Sequence, residues 1–454
     1  MPFHPQLHNM NNKTKILILG GGFGGVYTAL RLDKTLARRA DIEVTLVSSD
    51  NFLLFTPMLH EVASGDLNPS DIVNPIRRML KRVQFVQADV RSIDLAAKRV
   101  HCTRGLRPVS LDLDYDDLVL ALGSETNFFG LQGVAENAVT LKTLGDAALL
   151  RARILAILEM ASPEPDAAVR KRMLTFVVAG AGFAGVETIG AINDLVHEAL
   201  RYYPQLAPQE ARVVLIHPGE VVLPELGEPL GRYAQQKLAR RGVEIRPGTK
   251  VTSYIDSLVA VSSGEAVPAA TLVWTAGVTP NPVIAQLPCK KEKGRIMVDE
   301  FLEVPGFPGL WAMGDCAAVP DANTGSPQPP TAQHALRQAR HAAKNIETVL
   351  AGRQKKPFRF STIGQLASIG HRHGVANILG MNFSGFAAWL LWRCVYLLKL
   401  PRLAKKTRVA LSWSLEIIFS KDLEQMLTLR DVELISRIAT SLRSDVAERN
   451  VRRG

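Results

Sequence analysis

The stretch KILILGGGFGGVYTALRL (15–32) decides the fold class of this chain. Ile16 to Leu19 form a short apolar run closed by glycine, as a buried strand does, and the residues beyond Gly25 read as helix. Between them stands Gly20-x-Gly22-x-x-Gly25, with Phe23 and Gly24 inside it. Glycines at this spacing turn the chain tightly, let backbone amides approach a diphosphate, and pack helix against sheet, while the helix N-terminus faces the phosphates. VTLV (44–47) supplies the next strand and completes a βαβ opening.

Further along, LTFVVAGAGFAGVETIG (174–190) repeats the pattern with Gly180-x-Gly182-x-x-Gly185, enclosing Phe183 and Ala184, and VVLI (213–216) follows as its next strand. One such match is a weak signal, whereas two in the same context predict two bound dinucleotides. DYDDLVLALG (114–123) reads as a strand ending in glycine, LKTLGDAALLRARILAILEMA (141–161) as a helix, and LWAMGDCA (310–317) as a strand returning to a helix. The order implies an α/β protein of two Rossmann-like dinucleotide-binding domains, one inserted in the other. The expected division is 1–145 and 285–382 for the first domain, 146–284 for the second, and 383–454 for a C-terminal region.

The 454 residues suffice for two or three domains, and 47% hydrophobic with 21% charged residues excludes a wholly disordered chain or a coiled-coil rod. Cys102, Cys289, Cys316 and Cys394 form no Cys-x-x-Cys pair, which fits a reducing compartment. The first 14 residues lack a secretory pattern. The net charge of +11 is uneven: between Thr348 and Leu415 there are eleven Lys and Arg and no acidic residue. Within that block GFAAWLLWRCVYLLKL (385–400) is too short to span a bilayer, but with its cations and two Trp it suits a helix lying in the interface. RVALSWSLEIIF (408–419) reads as a second such element, and Trp389, Leu390, Leu391, Trp392, Val395, Leu397 and Leu398 as bilayer-facing. Apolar density of this kind argues against a nucleic-acid surface. The tail after Lys421 reads as mixed-charge helix.

Several residues are candidates for chemistry. Asp315, after Gly314, can accept from sugar hydroxyls at a strand-to-helix turn, or be only a helix N-cap. Thr331 is a candidate N-cap after Pro329 and Pro330 and would place the amides of Ala332 and Gln333 at a positive helix end, although Ala332, Ala335 and Ala339 also fit a packing face. The residue after the second strand of each unit is usually acidic and binds an adenosine ribose. Here those positions hold Ser48, with Asp50 nearby, and His217, so a 2′-phosphate is not repelled and NADPH joins NADH as a candidate. Glu187 reads as a carboxylate favoured at the start of a helix. His371-Arg372-His373 has no ligand spacing, and no metal is expected.

The sequence resembles the type II NADH:quinone oxidoreductases, within the flavoproteins that carry two dinucleotide-binding domains. The likeness rests on both glycine fingerprints, on Tyr115-Asp116-Asp117-Leu118 to Ala121-Leu122-Gly123-Ser124, on Thr275-Ala276-Gly277 and on Gly314-Asp315. More specific are Asn51 to Leu59 (NFLLFTPML), Pro330-Thr331-Ala332-Gln333-His334-Ala335, Gly364 to Gly370 (GQLASIG) and the Trp-rich C-terminus. The resemblance implies FAD at the first unit, NADH at the second, and Ala332 and Gln333 beside the flavin and lining a quinone site. It further implies Glu187 near the nicotinamide and flavin, C-terminal helices docked on a membrane with anionic lipid, and a homodimer. The implied activity is hydride transfer from NADH to FAD and then two electrons to a membrane quinone, without proton pumping, by a peripheral protein on the cytoplasmic face of a cell membrane. Two rivals stand beside it: a sulfide:quinone, disulfide or ferredoxin reductase of the same superfamily, and a nucleotide-binding redox sensor or scaffold.

Overall fold

The computed structural model describes residues 13–105, 109–322 and 325–424, so the leader and nearly all of the tail after Lys421 lie outside the described residues. The chain first lays down β1 (Thr14–Leu19), β2 (Ile42–Ser48), β3 (Gln84–Gln87) and β4 (Asp117–Leu120). It then builds β5 (Val139–Thr140), β6 (Thr175–Ala179), β7 (Arg212–Ile216), β8 (Val243–Arg246) and β9 (Thr271–Trp274), and returns with β10 (Leu310–Ala312). Two five-stranded sheets result, ordered β10-β4-β1-β2-β3 and β5-β9-β6-β7-β8, all pairs parallel. The second sheet is thus nested in sequence inside the first, as expected.

Parallel strands are covered on both faces, so their residues need no polar alternation. All four residues of β4 and all five of β6 are buried. The main helices are α1 (Phe23–Lys34), α2 (Leu59–Ala63), α3 (Leu144–Ala161), α4 (Phe183–Ala199) and α5 (Ala332–Leu350). α3 starts at a reciprocal cap in which Thr143 Oγ1 takes the Asp146 amide and Asp146 takes the Thr143 amide. α1 and α5 pack together, fixed by Arg31 forked onto Glu347 at 2.8 Å through both nitrogens.

The reading of 310–317 needs correction. Gly314–Cys316 is one 3₁₀ turn, followed by the short strand Ala317–Ala318, and among the described residues the next helix is α5. Gly314 takes φ +69°, a conformation that glycine adopts without strain, and its amide bonds Gln338 Oε1 at 2.8 Å.

After α5 come three antiparallel strands, β11 (Gly364–Ser368), β12 (Gly374–Ile378) and β13 (Met381–Ser384), then α6 (Gly385–Lys399) and α7 (Leu403–Ile418). His371 and Arg372 sit exposed in the turn between β11 and β12. No described helix is long and apolar enough to cross a membrane. Of the seven residues expected to face a bilayer, only Leu390 and Leu398 are exposed. Trp389 and Trp392 are buried in the protein, and Leu391, Val395 and Leu397 pack against its core. Arg393 is likewise buried: its guanidinium lies 4.2 Å from the Trp389 ring centroid and 4.8 Å from that of Trp413, and it bonds Glu416 at 2.6 Å. The outward faces carry Phe386, Leu390, Leu398, Leu403, Leu411 and Ile418 instead.

Candidate active site

The two glycine turns are built alike. Gly20 and Gly180 take φ +112° and +102°, and their amides bond Val47 and Ile216 carbonyls at 2.8 and 2.9 Å. A Cβ on Gly20 would lie 2.1 Å from the Ala121 carbonyl oxygen, and one on Gly180 would lie 2.8 Å from Ala276 Cα. Gly25 and Gly185 press the helix on the turn so closely that a Cβ would stand 1.9 and 1.8 Å from the Gly20 and Gly180 carbonyl oxygens. At Gly22, by contrast, nothing comes within 4 Å, and at Gly182 only Glu225 Oε1 does, at 3.5 Å. Each turn is therefore closed where helix meets sheet and open where α1 or α4 begins, the geometry a diphosphate needs.

Around the first turn the expected residues gather. Gly24 faces Ala121 and Met313, and Ser48 Oγ lies over Gly21 at the end of β2. Asp50 is exposed beside it, its carboxyl raised by burial of its surroundings and by Asp89. Gly123 turns with φ +70° below Ser124, whose hydroxyl donates to Asp315 Oδ2 at 2.7 Å and accepts from Lys142 Nζ at 2.7 Å. Burial lowers the Lys142 ammonium, with Asp315 opposing. At the second turn the Ala181 amide donates to His217 Nδ1 at 3.3 Å, and burial holds this imidazole below its ordinary value, with Glu225 opposing. Gly277 abuts Phe129, whose ring a Cβ would meet at 2.5 Å.

Between the turns lies a cavity of about 1100 Å³. Phe23 enters it from α1, Phe183 and Ala184 from α4, and Asp315 and Lys142 from the sheet ends. Thr331, Ala332 and Gln333 form another wall, where Thr331 caps α5 as expected by accepting the His334 amide at 3.4 Å. Tyr396, Leu398, Lys399, Pro401 and Arg402 close the side toward α6 and α7. None of the four cysteines, all free, lines the cavity, so the described residues place no disulfide pair beside the turns.

Glu187 corrects a reading. It is the fifth residue of α4, outside the first turn, and burial rather than the helix end governs it. Its Oε1 accepts from Trp392 Nε1 at 3.0 Å and from the Ser368 amide at 3.2 Å, while Oε2 stands 3.6 Å from His60 Nδ1. Burial pushes the carboxyl up to about 8 against those donors, and lowers His60 to about 4 against Asp66. Both are neutral near pH 7, so the pair is no ion pair despite its spacing. The neighbouring Glu61 is also pushed up to about 8 by burial and accepts from Trp413 Nε1 at 3.0 Å. Sequence reasoning noted Ser124 only as part of a family motif, and missed His60, Glu61, Lys142 and Tyr396. The only signal was the unexplained pair His60-Glu61 in an otherwise apolar run, since most partners lie more than a hundred residues away, although Lys142 meets Ser124 across only 18.

Two family models match the chain: pyridine nucleotide-disulphide oxidoreductase over residues 14–339, and the NDH2 C-terminal domain over 363–422. A type II NADH:quinone oxidoreductase of Mycobacterium tuberculosis is 32% identical over 439 residues, covering 93% of this chain and 92% of that protein. The chain belongs to the type II NADH:quinone oxidoreductases. An internal alternative NAD(P)H-ubiquinone oxidoreductase of Arabidopsis thaliana mitochondria is 29% identical, covering 91% of this chain and 86% of its own. In fold, the NDH2 of Plasmodium falciparum solved with NADH superposes with a TM-score of 0.85 at 20% identity, over 91% of this chain and all of that one. The sulfide:quinone oxidoreductase of Aquifex aeolicus reaches 0.67 at 19% identity, over 90% and 96%.

Proposed function

We propose that this type II NADH:quinone oxidoreductase binds FAD at the first glycine turn and NADH at the second, and reduces a membrane quinone in the cavity that joins them. FAD held there would supply the two-electron redox chemistry between NADH and the quinone. The reading is carried by one observation: α1 and α4, each beginning at a glycine turn, line the same cavity through Phe23 and Phe183, and its far wall is made by the C-terminal helices.

The chain's own residues supply position and protons. The Gly20–Gly25 turn holds the FAD diphosphate, with Ser48 and Asp50 at its adenosine end and Asp315, backed by Ser124 and Lys142, for its sugar-alcohol chain. Phe183, Ala184, Ala276 and Gly277 shape the nicotinamide path. Gln333 donates to a quinone carbonyl, beside the amide of Ala332. Glu187, neutral at pH 7, holds a proton for the quinone oxygen.

Leu398, Lys399, Pro401 and Arg402 both rim the cavity and adjoin the apolar faces of α6 and α7. This supports entry of quinone from a membrane on which Leu390, Leu403, Leu411 and Ile418 rest, with Arg408 and Lys399 toward anionic headgroups. The same reading divides the chain at 145, 284 and 382, places it on the cytoplasmic face, and pairs it as a homodimer, as the family resemblance suggests. Anaerobic stopped-flow tests the function: NADH bleaches the flavin and a short-chain quinone restores it. Bleaching without reoxidation moves the acceptor to sulfide or a protein partner, and an unbleached flavin ends the reading. Flotation with anionic vesicles tests the surface, and is lost in a Leu398→Asp, Leu403→Asp, Ile418→Asp variant.

A further inference from the structure

NADH + H⁺ + quinone gives NAD⁺ + quinol, so each turnover draws one proton from solvent beyond the hydride that NADH brings. Glu187 lines the large cavity from α4, with Trp392 and β11 packed against its carboxyl. A second, polar cavity of about 490 Å³ lies behind it, between α2, α4 and the β11–β12 turn. His371, Arg372 and Arg201 are exposed at its rim, and Glu61, Asp66 and Asp194 lie within. Among the described residues only two side chains line both cavities: His60 and Glu187. They are the partition.

The hydrogen bonds say which of them passes a proton across. Glu187 Oε1 is already taken by an indole and an amide, so its labile proton resides on Oε2, which faces His60 Nδ1 at 3.6 Å. The other imidazole nitrogen, Nε2, is buried without a hydrogen-bond partner. A buried nitrogen left bare is unfavourable, and its retention beside a polar cavity points to a proton-carrying use. Resting on the function proposed above, we infer that the polar cavity is a proton inlet and that His60 relays the solvent proton of each turnover to Glu187. The balance is simple. As the His60 ring shifts to bring the buried Nε2 to the inlet, water there gives it a proton while Nδ1–H gives one to the Glu187 carboxylate, emptied by its own donation to the quinone oxygen, and hydroxide leaves by the inlet. His60 ends as the other neutral tautomer and is reset by exchange with water. The 3.6 Å gap closes by a small shift of either side chain, as donor–acceptor pairs in unliganded sites commonly do.

Burial keeps His60 neutral against the pull of Asp66, and charged and aromatic groups face it from several elements. Glu187 approaches from α4, the Trp392 ring from α6 at 5.4 Å between centroids, and Arg393 behind it. Glu61 is its chain neighbour, Asp66 follows α2 and pairs with Lys421, and Glu416 closes from α7. His60 acts through Glu187 and is not itself placed on the substrate.

The test uses the full-length flavoprotein reduced by NADH and mixed with a short-chain quinone in H₂O and D₂O. In His60→Ala, reoxidation above about pH 8 is expected to slow at least tenfold, with a larger solvent isotope effect, and imidazole is expected to restore it. Independently of turnover, the infrared band of protonated Glu187, identified by its absence in Glu187→Gln, should exchange with D₂O about tenfold more slowly in His60→Ala. An unchanged rate, pH profile and exchange overturn the relay, as does a loss that imidazole does not relieve at any pH. Should His60→Ala not fold, Ala191→Met fills the inlet from α4, one turn beyond Glu187, and the same slowing is expected, with unchanged reoxidation again overturning the relay. A wild-type protein that NADH does not reduce, or quinone does not reoxidise, defeats the proposed function instead and is recognised before any variant is made.

Discussion

The strand–turn–helix units at Gly20 and Gly180 are near copies that diverge at one functional position. Offset by 160 residues, Phe23 matches Phe183, and Thr28 matches Thr188, each threonine hydroxyl bonding back to the helix at Gly24 and Ala184. Tyr27 in α1 then corresponds to Glu187 in α4, and both line the central cavity. One copy presents a phenol under Arg340, the other a buried carboxyl. On the function proposed above, the difference divides the work: the backbone cradle binds, and the side chain one helical turn further on handles protons, on the nicotinamide side alone.

The largest effects are expected where the copies are the same. Gly20→Ala drives a Cβ into the Ala121 carbonyl, and the purified protein should lose its flavin, read from the ratio of visible to protein absorbance. Gly180→Ala presses on Ala276 less severely and should retain the flavin while raising the KM for NADH about 10²-fold. If Gly180→Ala empties the flavin instead, the assignment of the two cradles is reversed.

Next in size is the position where they differ. Glu187→Gln keeps an oxygen to accept from Trp392 and Ser368 but carries no acidic proton, and should slow quinone reoxidation of the flavin about 10²-fold. Its stability profile should change too. Between about 4.5 and about 8 the folded protein keeps protons on Glu187 and Glu61 that an unfolded chain releases, so those groups make stability fall as pH rises through that window. His60, lowered from 6.5 to about 4, works the other way between those values, leaving the glutamates unopposed from about 6.5 to 8. Wild-type Tm should therefore drop from pH 6.5 to 8, and the drop should shrink by a few degrees in Glu187→Gln. A parallel decline in both proteins would place the carboxyl in its ordinary range.

The contrast between copies also marks what could be read from the chain. Gly20, Gly22, Gly25 and their counterparts are legible because a local backbone conformation demands glycine, whatever lies elsewhere. The nested order of the two sheets follows from the repeat of that signal and from the late strand Leu310–Ala312. Trp389, Trp392 and Arg393 were misread because an apolar helix with cations has the same composition whether it faces lipid or protein. Which face Trp392 occupies is set by the carboxyl of Glu187, 205 residues away. The same distance hid the His60–Glu187 partition, since no spacing links residues brought together only by tertiary packing. A charged residue inside an apolar run is the one local hint, and it names no partner.

A smaller effect is expected where each unit ends its second strand, at Ser48 and His217. His217 is neutral near pH 7 and neither repels nor attracts a 2′-phosphate strongly. His217→Glu adds a negative charge beside the adenosine ribose and should move the NADPH to NADH ratio of kcat/KM down about tenfold, and His217→Arg should move it up by a similar factor. Equal ratios in all three proteins would mean that the ribose lies elsewhere on β7 and β8.

The smallest effect sharpens the comparison most. Tyr27→Phe removes only a hydroxyl, at the place in α1 that Glu187 holds in α4. If the copies truly divide binding from proton chemistry, the phenol is packing under Arg340 rather than a donor, and burial already pushes its ionisation upward, away from any working pH. Quinone reoxidation should then change less than about twofold, with stability lowered by about 1 kcal/mol at most for a lost hydroxyl contact. A slowing comparable to that of Glu187→Gln would mean that both copies feed protons to the cavity, and the asymmetry drawn from Glu187 and His60 would give way to a symmetrical supply.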